Sequence, residues 1–413
     1  MTTSLESDAP SPRGAAPRTE SRPRAEDGLI ERARTLAPFL RTRAAEAETT
    51  GRLPREVLDA MREAGLFRLL LPRSLGGLEV DPVTYILVAE EVSRADSAAG
   101  WVLQAGNMGA WWSSRLSADG ARAVHGDDPS ALVAAAFHPP QHAVEVEGGY
   151  RVTGRGPLAS NIHDATWLFL TALVFENGQP RLTPAGPQVI GVILRASEAT
   201  IIDTWDSLGM RGTDSNDVVV ENVFVPAART YPLAPALEMN ALFTGPLYRF
   251  PPIGATSIIG VPVALGVARE ALNELRALAA KKTAFGFMKP MRERSTVQAQ
   301  VARAEGMFRA ARLLFLDTIG AAWQRTVAGE ASTLEQKADL LMAAAHAVRT
   351  CATVTAMMHA LAGTTGIYTR SPLERHFRDM QTLRHHGFVS ESRFEAAGQV
   401  YLGLPPEFPM LAL

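Results

Sequence analysis

The side chains that read most plainly as able to move a proton on a ligand lie near the end of this chain. Gly363-Thr-Thr-Gly366 is followed by Pro372-Leu-Glu-Arg-His-Phe-Arg378-Asp379, and seven residues after the aspartate stands His386, with His385 before it and Gly387 after it. Imidazole titrates near working pH, so a neutral His386 can take a proton from a phenol-like hydroxyl and a charged one can orient an anion; His385 is the alternative at this place. Ser160-Asn161 ends a Gly-punctuated run, where a hydroxyl either caps its own loop or is presented to a ligand. Trp101, Trp111 and Trp112 lie in one apolar stretch. Trp101 either stacks on a flat ring or fills the core. Asn107, His138 and His163 are candidate polar groups of a pocket. The nine histidines make no metal-ligand pattern, so no metal is expected, and the single cysteine, Cys351, sits in an apolar helical run and reads as an inert buried thiol.

Elements of two kinds must position these groups. Residues 28 to 129 carry helical periodicity: Pro54 stands at a first turn, and Asp81-Pro82 caps a helix through Tyr85, Ile86, Ala89 and Val92. Between 130 and 238 the period becomes that of strands. Alternation around Gly148-Gly149 predicts a hairpin with a tight primed turn, and strands follow at Trp167 to Val174, Val189 to Leu194 and Val218 to Val225. From 239 to 413 the chain is helical again, with helices expected near 254–283, 293–328, 334–362 and 373–387. Residues 1 to 27 are rich in Ser, Pro, Ala and Arg and are expected to be a disordered tail. The fold class is therefore α+β, mostly α: a helical domain, a small antiparallel β-domain and a four-helix bundle.

A net charge of −2 and interrupted basic runs such as Arg292-Glu-Arg294 give no reason to expect nucleic acid as a partner. No apolar stretch reads as long and charge-free enough to span a bilayer, and no secretory block opens the chain, so a cytoplasmic protein is expected.

The helix–sheet–helix order resembles the acyl-CoA dehydrogenase superfamily. Motifs along the chain carry that resemblance: Leu66-Phe67 through Pro72 to Gly76-Gly77, Leu208-Gly-Met-Arg-Gly-Thr-Asp-Ser215 leading into Val218 to Pro226, and the Arg378-Asp379 segment. In the dehydrogenases a catalytic glutamate follows that aspartate by eight residues; here Gly387 holds the position and Glu391 is the next carboxylate. A carboxylate can take a carbon-bound proton from a thioester, whereas the histidine at 386 matches the two-component flavin monooxygenases of the same fold. The dehydrogenases' Thr-Glu and Gly-Ser-Asp signature is replaced by Phe137-His-Pro-Pro-Gln-His142. Their Arg-x-Gln-Phe-Gly and Gln-x-x-Gly-Gly motifs appear as Lys282-Thr-Ala-Phe285-Gly286 and Ala360-Leu-Ala-Gly363-Thr364.

The resemblance implies the oxygenase component of a two-component monooxygenase. Reduced flavin, FMNH2 or alternatively FADH2, would come from a separate NAD(P)H:flavin reductase and react with O2 to a C4a-hydroperoxide that hydroxylates a small aromatic substrate. It implies catalytic roles for His386, Ser160 and, in reserve, His385. Ser160 would partner flavin N5, with Asn161, Lys282, Phe285, Gly363, Thr364 and Trp167 as further flavin contacts and Trp101, Asn107, His138 and His163 as substrate-pocket groups. A homotetramer is also implied. N- or S-oxygenation by the same intermediate is the nearest alternative; the others are a dehydrogenase with its glutamate relocated to Glu270 or Glu274, and a catalytically silent subunit.

Overall fold

The computed structural model describes residues 25–184, 186–233 and 239–411; the expected N-terminal tail falls almost wholly outside them. The first helices are α1 (Ala25–Thr50), α2 (Arg55–Glu63), α3 (Pro82–Ala95), α4 (Ser97–Ser113) and α5 (Ala118–His125). Asp81 caps α3 by accepting from the N–H groups of Val83 (2.9 Å) and Thr84 (3.1 Å), which fixes where the helix starts.

The strands are β1 (Val133–Val146), β2 (Gly149–Ala159), β3 (Trp167–Glu176), the two-residue β4 (Gln179–Pro180), β5 (Leu182–Thr183) and β6 (Gly186–Pro187), then β7 (Val189–Arg195), β8 (Thr200–Ile202), β9 (Asn216–Pro226) and β10 (Thr230–Pro232); β5 and β6 pair with each other, and the other eight form one sheet. Its main path runs β10-β7-β3-β1-β2-β9-β8. It is a mixed sheet rather than the purely antiparallel one expected. After β2 the chain crosses to the far side of β1, so β3 runs parallel to it, Val133 opposite Trp167. The hairpin turn also differs from expectation: Gly148 takes φ 79° but Glu147 does not share a positive φ, as a side chain other than Gly, Asn or Asp resists it. Along β3, Leu168 and Leu170 face a core within the sheet, whereas Trp167 and Phe169 face the helical core, the two-residue alternation of a strand covered on both sides.

The C-terminal half holds α6 (Pro252–Ser257), α7 (Val261–Lys281), α8 (Ser295–Ala328), α9 (Leu334–Ala362), α10 (Pro372–Leu383) and α11 (Ser392–Tyr401). The expected helix at 254–283 is broken where Gly260 takes φ 82°. The last expected helix stops at Leu383, so His385 and His386 lie in a turn rather than on a helix face. Two stretches, Pro252–Lys281 and Leu334–Ile367, do reach the length and hydropathy of a membrane span, contrary to the sequence reading; their apolar windows are 89% and 67% buried inside the protein.

Candidate functional site

Three segments far apart in sequence meet where α4, the sheet and the end of α10 converge. The Trp101 indole N–H donates to Ser160 Oγ at 2.8 Å, and its ring meets the His386 imidazole edge-on, centroids 5.0 Å apart. Beyond His386 an aromatic row continues through Phe388 (5.4 Å) and Phe137 (5.9 Å further) to Trp112 and Phe169. Phe137 reaches this row because the β1–β3 register breaks between Ala136 and Gln141, a bulge that re-aims its side chain. Helix α4 lies against β1 only because Gly109 has no side chain: a Cβ there would come within 2.4 Å of Val133 Cβ.

Ser160 does not cap its own loop. Its hydroxyl lies 2.8 Å from Ser215 Oγ, which lies 2.7 Å from Thr213 Oγ1, which donates to the Met210 carbonyl at 2.8 Å. Next to it Asn161 is held at φ 57°, its N–H donating to Thr213 O at 2.8 Å. The Asn161 amide is buried, yet neither its oxygen nor its nitrogen has a protein partner. A buried amide without partners costs stability unless something else pairs it.

Asp379 ties these segments together. It accepts the Met210 N–H at 2.7 Å on one oxygen and the Ser97 hydroxyl at 2.5 Å on the other. The loop holding Ser215, the start of the helix holding Trp101 and the helix leading to His386 therefore share one carboxylate. Gly209 permits it, since a Cβ there would stand 2.3 Å from the Arg378 carbonyl group. Burial pushes the Asp379 carboxyl up to about 6, against the pull of Arg375 and its hydrogen bonds.

Burial lowers the His386 imidazole to about 4, so at neutral pH it is uncharged and the charged, anion-orienting form is disfavoured. The Phe388 N–H donates to its Nδ1 at 3.4 Å, a long bond. His385 is exposed and stays apart from this cluster.

The other sequence candidates scatter. Asn107 is a structural staple: its amide donates to the carbonyls of Leu66 (2.8 Å) and Leu103 (2.9 Å) and accepts from Leu70 N–H (3.2 Å), so both its donors are spent, and the side chain is fully buried. His138 is exposed. His163 is bound to Asp214, ring Nδ1 to Oδ1 at 2.7 Å, and lines an open polar cleft of about 910 Å3 that Trp101, Ser160 and His386 do not border. The Trp167 ring is covered by Arg195, its guanidinium carbon 3.9 Å from the centroid; Arg195 is its cross-strand partner, so that ring face is not open to a cofactor. Lys282 Nζ closes the end of α9, donating to Ala362 O (2.6 Å) and Thr365 Oγ1 (2.7 Å). Phe285, Gly363 and Thr364 are exposed. Cys351 is buried, which pushes its thiol up and keeps it unreactive. Ser215, Thr213 and Phe388 were not singled out by sequence reasoning, although the first two close the quoted Gly-Thr-Asp-Ser run.

Two profiles of the acyl-CoA dehydrogenase family match this chain, the N-terminal domain over residues 29–119 and the C-terminal domain over 258–391. Indole-3-acetate monooxygenase of Pseudomonas putida is 32% identical, covering 92% of both chains. The flavin-dependent monooxygenase oxygenase subunit HsaA of Rhodococcus jostii is 28% identical over 91% of this chain and 98% of its own. The structure of XiaF from Streptomyces in complex with FADH2 and glycerol superposes with a TM-score of 0.87 at 26% identity, covering 93% of this chain and 97% of that one.

Proposed function

The chain belongs to the acyl-CoA dehydrogenase family, in its flavin-dependent monooxygenase branch, and from that premise we propose that it is an oxygenase component that hydroxylates a small aromatic compound with reduced flavin supplied by a separate reductase. The observation that carries the site is the meeting of Trp101, Ser160 and His386 beside the unsatisfied Asn161 amide. These groups fit a flavin: the Asn161 amide offers N–H donors and a carbonyl acceptor to a ring edge that carries both kinds of group, and Ser160 offers a hydroxyl oxygen. Bound there, reduced flavin would supply the activation of O2.

The chain's own residues do the rest. Ser160 and Asn161 fix the ring by hydrogen bonds, and Trp101 holds Ser160 in place while walling the site. The row of Phe388, Phe137 and Trp112 keeps water away and offers flat apolar surfaces to an aromatic substrate. His386, neutral at working pH, carries its ring proton on Nε2, so the substrate's hydroxyl or N–H proton goes to Nδ1, where it displaces the long bond from the Phe388 N–H as the C–O bond forms. Neither relocated-glutamate candidate supports a dehydrogenase: Glu270 is held between Arg41 (3.5 Å) and Arg94 (3.6 Å), and Glu274 lies one turn further along the same helix.

Lys282, Gly363 and Thr364 form one surface group beside the exposed Phe285 loop, and we place the flavin's phosphate there, completed by a second protomer of a homotetramer. Indole-3-acetate, the substrate named for the relative from Pseudomonas putida, is the first compound to try. With a flavin reductase, NADH and FMN, hydroxylated product forms only when reductase, flavin and O2 are all present. Product formed without reductase, or reduction of a tightly held flavin by an acyl-CoA, overturns the reading.

A further inference from the structure

The direction of every proton in the hydroxyl chain beneath Ser160 follows from elimination. Thr213 Oγ1 and the Met210 carbonyl are 2.8 Å apart, a separation that requires a hydrogen between them, and a carbonyl has none to give. Thr213 therefore donates to Met210. Its proton being spent, Ser215 must donate across the 2.7 Å gap to Thr213. The same step outward makes Ser160 the donor across 2.8 Å to Ser215. On its other side Ser160 can only accept from the Trp101 indole, which has no lone pair to offer. One lone pair of Ser160 Oγ is left, and no proton.

We propose that Ser215 and Thr213 set the redox preference of the flavin site by committing the Ser160 proton inward, so that Ser160 can accept a hydrogen bond but cannot donate one. This rests on reading Ser160 as the partner of flavin N5. Reduced flavin carries a hydrogen on N5 and satisfies the lone pair; oxidised flavin presents a bare N5 lone pair and meets another. Ser160 and Ser215 are both buried, so the mismatch is not relieved by solvent and disfavours the oxidised form by roughly tenfold or more. An oxygenase that receives flavin reduced and must release it oxidised gains from that difference. Asp379 holds the inner end of the chain through the Met210 N–H. Trp101 and Ser215 are thus positioning residues for Ser160.

The test is an anaerobic redox titration of FMN with the protein in excess, for wild type, Ser215→Ala, Ser215→Thr and Ser160→Ala. By linkage, tenfold tighter binding of the reduced form raises the midpoint potential of the bound flavin by about 30 mV. Wild type is expected to raise the potential above that of free FMN, Ser215→Ala to lose about 30 mV of that rise, and Ser215→Thr to keep it. A variant that merely binds both forms less well does not move this ratio. An unchanged potential in Ser215→Ala beside a lowered one in Ser160→Ala overturns the proposal while leaving Ser160 as the flavin partner. An unchanged potential in Ser160→Ala overturns that partnership, and the proposal with it.

Discussion

At the scale of single residues the account rests on two hydrogen-bonding groups and one neutral imidazole. Replacing His386 with alanine should lower product formation by roughly a hundredfold or more, while NADH and O2 consumption continue and appear as hydrogen peroxide. Equal product yields per NADH in both proteins would remove His386 from the reaction. Its depressed pKa makes a second prediction. The folded value lies near 4 and the ordinary one at 6.5, so the neutral ring contributes stability above 6.5 that is lost as pH falls toward 4. His386→Phe should therefore lose less stability than wild type between pH 6.5 and 4 in denaturant titrations. The acid limb of kcat/KM should not fall near 6.5 on account of this ring; a limb there that vanishes in His386→Asn contradicts the assignment. In the bare sequence both histidines stand open, and only the resemblance, at its spacing from Asp379, favours His386; in the structure His385 is exposed while burial lowers His386. The partners of Ser160 were not legible in that way: Ser215 is 55 residues distant, and only the folded sheet brings them together. Asn107 misled for the opposite reason, since a buried polar side chain in an apolar helix looks alike whether it binds a ligand or the backbone of a neighbouring loop.

At the scale of elements, the site depends on one carboxylate joining α4, the 209–215 loop and α10. Asp379→Ala leaves the Ser97 hydroxyl and Met210 N–H without their acceptor and should cost about 2 kcal/mol, with coupling of O2 to product reduced alongside. Asp379→Asn keeps an acceptor for Met210 and should fold within about 1 kcal/mol of wild type. Thermal unfolding with a peroxide assay separates the two; an alanine variant as stable and as well coupled as wild type would show that the three elements hold their places without it. Element types were largely readable, because α3 has its Asp-Pro cap and β3 is a short apolar run bounded by turn residues. The helix break at Gly260 and the parallel pairing of β1 with β3 were not. Both depend on what packs across from them: Gly260 faces Leu383, Val389 and Trp101, and strand direction is decided by the crossing at 160–166 rather than by any local pattern.

At the scale of the whole molecule, the fold places an aromatic-walled site between a sheet and a helical bundle and leaves Phe285, Met288 and Leu313 on the outside. Such exposed apolar groups fit contacts between protomers, and light scattering should find a particle of four chains; a single-chain mass would contradict the tetramer. The general plan was legible because motifs at both ends and in the sheet agree on one fold, whereas the assembly is not written in any one chain's packing. The central claim, a protein that takes up reduced flavin and governs its reaction with O2, is tested most directly without knowing the substrate. Anaerobically reduced FMN is mixed rapidly with oxygenated buffer, with and without the protein, and the return of the oxidised flavin spectrum is followed. The account predicts that the protein delays that return, and that Ser160→Ala shortens the delay. Reoxidation at the rate of free flavin, with FMN and with FAD alike, would contradict it.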